Sequence, residues 1–313
     1  MSYHADILNS IGNTPLVELG PVVPKGAARI LVKLESHNPT GSMKDRMALA
    51  VVKGALSRGE LLPGGSVVEY TGGSTGTSLA LVCAAMSFHL SIVSSDAFSR
   101  EKRDHMRALG AEVEELPSEG GRSTRELIQR MMDRAGELSS SPDAFFADQF
   151  NNPDAASGYA SMAVEIWDQA GGKLDAFVQS VGTAQCIKGV ATALRERNQK
   201  MHVVAVEPSE SPVLSGGIPG PHKIEGVGPG FIPPVWTDNL ADEIIQVSTE
   251  EAKEMARRLA REEALFAGTS TGANVLAAIR IATRLGPGHT VVTIACDSGL
   301  KYLSTDVYHS FGS

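Results

Sequence analysis

A β-branched run, a short loop of small polar residues and an apolar helical run recur along this chain, and that recurrence restricts its fold more than any other feature. Ser66-Val67-Val68-Glu69-Tyr70 leads through Thr71-Gly72-Gly73-Ser74-Thr75-Gly76 into an apolar run over residues 78–85. Ala176-Phe177-Val178-Gln179-Ser180-Val181 leads through Gly182-Thr183-Ala184-Gln185-Cys186 into a helical pattern over 187–197. Gly268-Thr269-Ser270-Thr271-Gly272 opens another helix at Ala273. Further strands are expected at 29–35, 90–95, 111–116, 144–147, 203–207 and 290–296, with helices between them. Strands that alternate with helices pair in parallel, take helices on both faces and bind ligands at their carboxyl ends. The expected fold class is therefore α/β, with mostly parallel sheets.

At 313 residues the chain is long enough to divide into two domains. A net charge of −8 with no Lys/Arg block argues against nucleic acid or an anionic membrane as partner. No run approaches the length of a spanning helix, and the polar opening Met1-Ser2-Tyr3-His4-Ala5-Asp6 lacks the pattern of a signal peptide. Cys83, Cys186 and Cys296 are scattered and odd in number, which suits a reducing cytoplasm and suggests neither disulfides nor a zinc site.

One lysine stands out by position. Asn38-Pro39-Thr40-Gly41-Ser42-Met43-Lys44-Asp45-Arg46-Met47 follows the strand at 29–35 and precedes a helix running from about Asp45 to Arg58. Lys44 is thus held at an element boundary, and lysine is the side chain that forms Schiff bases. Small-residue loops at helix starts present backbone N–H groups to anions. A cofactor that carries a phosphate and also needs a lysine is pyridoxal phosphate (PLP). Ser123 and Glu126 are expected to box the start of a helix whose inner face is Leu127, Ile128, Met131 and Met132. Ser248 and Glu251 should cap another, while 211–234, rich in Gly and Pro, reads as a functional loop. His222 and Lys223 within it read as loop structure rather than catalytic groups.

With these segments in hand, nearly the whole chain resembles the cysteine synthase/cystathionine β-synthase family of fold type II PLP enzymes. The resemblance runs from Ile11-Gly12-Asn13-Thr14-Pro15-Leu16 through the lysine segment, Gln149-Phe150 with Asn152-Pro153, and Glu165-Ile166-Trp167. It continues through Ser211-Pro212-Val213-Leu214-Ser215-Gly216-Gly217 and residues 221–233 to Asp297-Ser298-Gly299 with Lys301-Tyr302-Leu303-Ser304-Thr305. It implies two three-layer α/β/α domains of the tryptophan synthase β type, a smaller one over 36–150 and a larger one from 1–35 and 151–313. Lys44 would hold the cofactor and act as base, and Gly182, Thr183, Ala184, Gln185 and Cys186 would cup the phosphate. Ser74 would stand by the ring, and Ser298 would face the pyridine nitrogen, with Asp297 turned away. Thr71, Gly72, Thr75 and Gln149 would bind the substrate carboxylate. The implied reaction is β-replacement on an O-activated serine, O-acetyl-L-serine above others, with sulfide or a thiol, in a cytoplasmic homodimer.

Two loops depart from the family pattern. Ser74 stands where the family has Asn, with Gly72 in place of the preceding Ser. Ala184-Gln185-Cys186 replaces Gly-Gly-Thr. A serine/threonine dehydratase or other β-eliminase on the same scaffold, a dinucleotide-dependent oxidoreductase and a non-catalytic binding protein are the other readings. Gly226-Val227-Gly228-Pro229-Gly230 is a poor dinucleotide fingerprint, since Phe-Ile-Pro-Pro follows it rather than a helix.

Overall fold

The computed structural model describes residues 5–121 and 124–308. In chain order the elements are β1 (Leu16–Glu18), β2 (Arg29–Leu34), α1 (Lys44–Arg58), β3 (Ser66–Tyr70), α2 (Ser74–Met86), β4 (His89–Ser95), α3 (Arg100–Ala108) and β5 (Glu112–Leu116). Then follow α4 (Arg125–Leu138), β6 (Ala144–Phe146), α5 (Asp154–Ser157), α6 (Ala160–Gln169), β7 (Ala176–Ser180), α7 (Gln185–Arg195) and β8 (His202–Pro208). β9 (Glu243–Val247), α8 (Thr249–Glu262), α9 (Thr269–Leu285) and β10 (Thr290–Ala295) complete the chain.

Among the described residues ten strands form two sheets, in the orders β1-β2-β10-β7-β8-β9 and β5-β4-β3-β6. Every pairing is parallel except the β1–β2 hairpin. Period-two alternation explains why both faces are covered. Along the larger sheet, Ile30, Val32, Val178, Val204 and Val206 pack with Leu259, Ala278 and Ile281 of α8 and α9. Their neighbours Leu31, Phe177, Val203, Ala205, Val292 and Ile294 pack the opposite way, with α1, α6 and α7. In the smaller sheet, Val68, Tyr70 and Val93 meet Leu127 and Met131 of α4, while Val67, Leu90 and Ile92 face the other layer. β9 carried no recognisable sequence signal, because Asp242-Glu243 dilutes a run of only five residues.

The structure shifts several helix starts. The expected loops at 74–76, 185–186 and 269–272 are the first turns of α2, α7 and α9. At 74–76 and 269–272 Gly, Ser and Thr are weak helix formers, so propensity places them outside, and packing of the following apolar face pulls them in; Gln185 is a good helix former and reads as loop only because it follows Gly182-Thr183. Thr124 caps α4 by accepting from Leu127 N at 3.2 Å; Ser123 lies outside the described residues. The Ser248/Glu251 capping box is present.

A buried cluster fixes the start of α1. The Arg46 guanidinium donates to both oxygens of Glu35 (2.8 and 2.9 Å) and to both of Glu165 (2.7 and 2.8 Å). Lys33 Nζ lies 2.7 Å from Glu165 and donates to Thr14 O at 2.6 Å. Two cations and two carboxylates thus balance across β2, α1 and α6. Burial works to raise Glu165, but the hydrogen bonds and charge of Arg46, with Lys33, outweigh it and hold the carboxyl at about 2. Arg46→Met would leave fully buried Glu35 without its cation. Urea unfolding should then show a loss of about 3–5 kcal/mol. Arg46→Lys, which cannot form the two parallel pairs, should recover little of it; a loss below about 1 kcal/mol for either variant would show the cluster to be dispensable.

Candidate active site

The Lys44 loop is stitched to the end of β10. Met43 N donates to Cys296 O (2.9 Å), Ser298 N donates to Gly41 O (2.9 Å), and Ser42 bridges Asp297. Gly41 adopts a φ of +74°, and a Cβ there would sit 3.3 Å from that of Ser298, so glycine lets the loop turn against the strand end. Buried Asp45 accepts from Thr40 N (2.8 Å), Thr40 Oγ1 (2.5 Å) and Ser78 Oγ (2.6 Å), tying the loop to α2. Lys44 is thereby the first residue of α1, held between the Asp45 clamp and the Arg46 cluster, and lines a cleft between the two sheets.

That cleft encloses about 770 Å³. It brings together Lys44, Thr71, Gly72, Ser74, Thr75, Gln149, Gly182 and Thr183. Thr75 Oγ1 donates to Gln149 Oε1 at 2.7 Å, and Gln149 Nε2 donates to Tyr70 O at 3.1 Å. Gln149 N in turn donates to Glu69 Oε2 at 3.0 Å. Thr71 Oγ1 accepts from Gly73 N at 3.1 Å and retains its own proton to donate. Ser74 Oγ donates to Asp297 Oδ2 at 3.1 Å.

Ala184, Gln185, Cys186 and Ser298 do not line the cleft. Ala184 takes the left-handed φ of +62° at the start of α7. Gln185 turns inward, its Nε2 donating to Phe150 O at 3.0 Å and Asn152 O at 3.4 Å. Burial pushes the Cys186 thiol well up, with the nearby Lys44 charge opposing, so it stays protonated. Ser298 Oγ accepts from Leu300 N at 3.2 Å and caps the short 3₁₀ turn Gly299–Tyr302. Asp297, expected to turn away, lines the cleft and accepts from Tyr302 OH at 2.9 Å. Cys296 and Asp297 both line the cleft, because β10 ends at Ala295 and the opposite facing of neighbours in a strand no longer applies beyond it.

Other lining residues escaped the sequence reading. Gly226, Val227 and Gly228, which lie in the loop read as functional but were given no role, line the cleft, and a Cβ on Gly182 would lie 2.3 Å from Gly226 O. Phe98 covers Gly72 and Lys102 covers Gly73, with glycine Cβ positions 2.6 and 2.2 Å from their side chains. Lys102 pairs with Glu225 at 2.6 Å. The consecutive glycines were the one local hint that something must lie over this loop. Among the described residues no group of His, Cys, Asp and Glu could hold a metal.

These features fit PLP. A lysine opens into the cleft, and Gly182 approaches the Gly226 carbonyl too closely to carry a Cβ, which holds the two loops together beside the start of α7. The first turn of α7 has N–H groups without helical partners and a favourable potential for a phosphate. Together they define a PLP enzyme with α/β layers, and the chain belongs to the pyridoxal-phosphate dependent enzyme family, whose model matches residues 7–297. Among its relatives, the chain is 42% identical over 305 residues to the cysteine synthase of Staphylococcus aureus, covering 97% of this chain and 96% of that one. It superposes on the crystal structure of cysteine synthase from Entamoeba histolytica with a TM-score of 0.90 at 37% identity, covering 100% of this chain and 93% of that one. On the O-acetylserine dependent cystathionine β-synthase from Helicobacter pylori the TM-score is 0.91 at 36% identity, covering 98% and 100%.

Two expectations follow. Gly72→Ser would drive its Cβ into the Phe98 ring, so urea unfolding should show a loss of about 1–3 kcal/mol. The same substitution in a Phe98→Ala background should cost less, and equal costs in both backgrounds would refute the contact. Burial raises Glu69 to about 8, with the Gln149 and Tyr70 N–H groups pulling it down and Asp148 adding to the rise. A carboxyl raised from the ordinary 4.5 gives the folded state the extra proton, so its contribution is full below 4.5 and lost as pH rises to about 8. Glu69→Gln should therefore flatten the urea midpoint between those pH values; an unchanged profile would show that Glu69 ionises normally.

Proposed function

We propose that the chain carries out PLP-dependent β-replacement on O-acetyl-L-serine, with sulfide or a thiol as nucleophile, giving L-cysteine or an S-substituted cysteine. The observation that carries this is Lys44 opening into one cleft between two helix N-termini, α7 for a phosphate and α2 for a carboxylate. The cysteine synthase relatives support the same reaction. When bound, the cofactor supplies an electron sink for bond breaking at the substrate α-carbon.

Lys44 would hold the cofactor covalently, take the α-proton from the amino-acid donor and return it once the nucleophile has added. Gly182 and Thr183 would cup the phosphate beside the first turn of α7, with Ala184, Gln185 and Cys186 shaping that turn from behind. The hydroxyl of Thr71, the N–H groups of Gly72 and Thr75, and the second amide proton of Gln149 would hold the donor carboxylate. Ser74 would stand beside the ring. By the family resemblance Ser298 would partner the ring nitrogen, which requires its hydroxyl, now capping Leu300 N with its own proton free, to turn into the cleft; a neutral partner there weakens the sink and favours prompt loss of the leaving group.

Charge pairing supports acetyl as that group. Besides Lys44, the lining lysines are Lys102 and Lys223, and each is matched, to Glu225 at 2.6 Å and to Asp306 at 2.9 Å. Among the described lining residues, a phosphate dianion would find no uncommitted lysine or arginine besides Lys44. We assign residues 36–150 to a smaller domain and 1–35 with 151–313 to a larger one, the division the two sheets suggest. By the family resemblance we also propose a homodimer. A cytoplasmic location fits three buried free thiols and, among the described residues, no helix long and apolar enough to cross a membrane.

The test is product analysis. PLP-loaded protein given O-acetyl-L-serine and sulfide should form cysteine, and Lys44→Ala should lower the rate by about 10³-fold or more. Pyruvate without cysteine would establish the eliminase instead, and activity retained in Lys44→Ala would remove the lysine from the mechanism.

A further inference from the structure

The loop proposed to bind the donor carboxylate contains two consecutive glycines, Gly72 and Gly73. Glycine has the greatest backbone freedom of any residue, so unaided, such a loop would have to be ordered by the substrate on every binding event. The structure orders it in advance. The stem of Lys102 lies across Gly73, its Cδ only 2.2 Å from where a Cβ would be. The side chain is 4% exposed although it ends in an ammonium.

That ammonium is held from the other side of the cleft. Lys102 Nζ donates to Glu225 Oε2 at 2.6 Å and to Tyr302 OH at 3.3 Å, and lies 4.3 Å from the Tyr302 ring centroid. Tyr302 OH then donates to Asp297 Oδ2 at 2.9 Å, and Asp297 also accepts from Ser74 Oγ. Every proton in this chain has a direction: lysine to phenol, phenol to carboxylate, and Ser74 hydroxyl to the same carboxylate. Lys102 therefore grips the loop twice, sterically at Gly73 and through Tyr302 and Asp297 at Ser74.

We propose that Lys102 is a positioning residue for the amino-acid donor. Anchored by Glu225, it holds the Gly72-Gly73-Ser74 backbone in the posture that receives the donor carboxylate. The proposal rests on the reading of this loop as the carboxylate site. Removing Lys102 returns the ordering cost to the binding step, while Lys44 and the phosphate cup are untouched. The loss should appear in the donor KM rather than in kcat.

The experiment uses PLP-loaded protein with O-acetyl-L-serine and sulfide. Lys102→Met should raise the donor KM at least about tenfold, the worth of one lost charge-assisted hydrogen bond, and leave kcat within about threefold. Cofactor content and the resting visible spectrum should match wild type. Glu225→Gln should shift the donor KM in the same direction by less, and Lys102→Arg should recover part of the loss. Gly73→Ala should raise the donor KM in wild type and add little in a Lys102→Ala background, because the steric partner is gone. An unchanged donor KM in Lys102→Met, a fall in kcat alone, or fully multiplicative effects with Gly73→Ala would each overturn the proposal. Cysteine formation by wild type is measured alongside. Its absence would sink the β-replacement reading, whereas an active wild type with an indifferent Lys102→Met sinks only this one.

Discussion

The double pairing of Arg46 with Glu35 and Glu165 is the interaction on which the site depends. A guanidinium presents its N–H groups in a planar fork, so one side chain can satisfy two carboxylates at fixed angles. Arg46 uses this to join the end of β2, the first turn of α1 and helix α6. Lys44 is two residues upstream on the same helical turn and inherits that placement. Buried ions are expensive, and a hydrophobic triad could fill the space at less cost. What the ions add is orientation: carboxylates and guanidinium match in one register only, and that register fixes where the lysine emerges.

Much of the fold was legible because parallel sheets buried on both faces demand long β-branched runs separated by helices. Runs such as residues 176–180 and 290–295 satisfy that demand without help from their surroundings. β9 was not legible, since its Glu and Gln dilute the pattern and its pairing with β8 supplies what the residues lack. The helix starts were misplaced for a related reason. Ser74-Thr75-Gly76 looks like loop by propensity and is helix by tertiary contact. Small residues in such a first turn also leave its unpaired N–H groups uncovered by side chains.

The site was legible where chemistry dictates a residue type, and opaque where geometry dictates a partner. A lysine after a turn and a hydroxyl-rich loop before a helix can be read off a chain, and both do line the cleft. That Asp297 rather than Ser298 would meet Ser74 depends on how two distant segments come together. That Lys102 would reach across to Glu225 depends on two segments separated by 123 residues. No local pattern encodes such meetings.

These long-range partners also account for the departures from the family loops. Gly72 has no room for serine because Phe98 occupies the space, so the two residues form one unit. Ser74 is shorter than Asn, and its hydroxyl is taken up by Asp297, which is itself held by Tyr302. Gln185 replaces a glycine, but its side chain bonds the carbonyls of Phe150 and Asn152 rather than entering the cleft, so the backbone of the cup stays open. Gly72, Ser74 and Gln185 are thus each matched by a contact elsewhere in the fold. The loops therefore diverge in side chains while each still opens a helix with its run of backbone N–H groups.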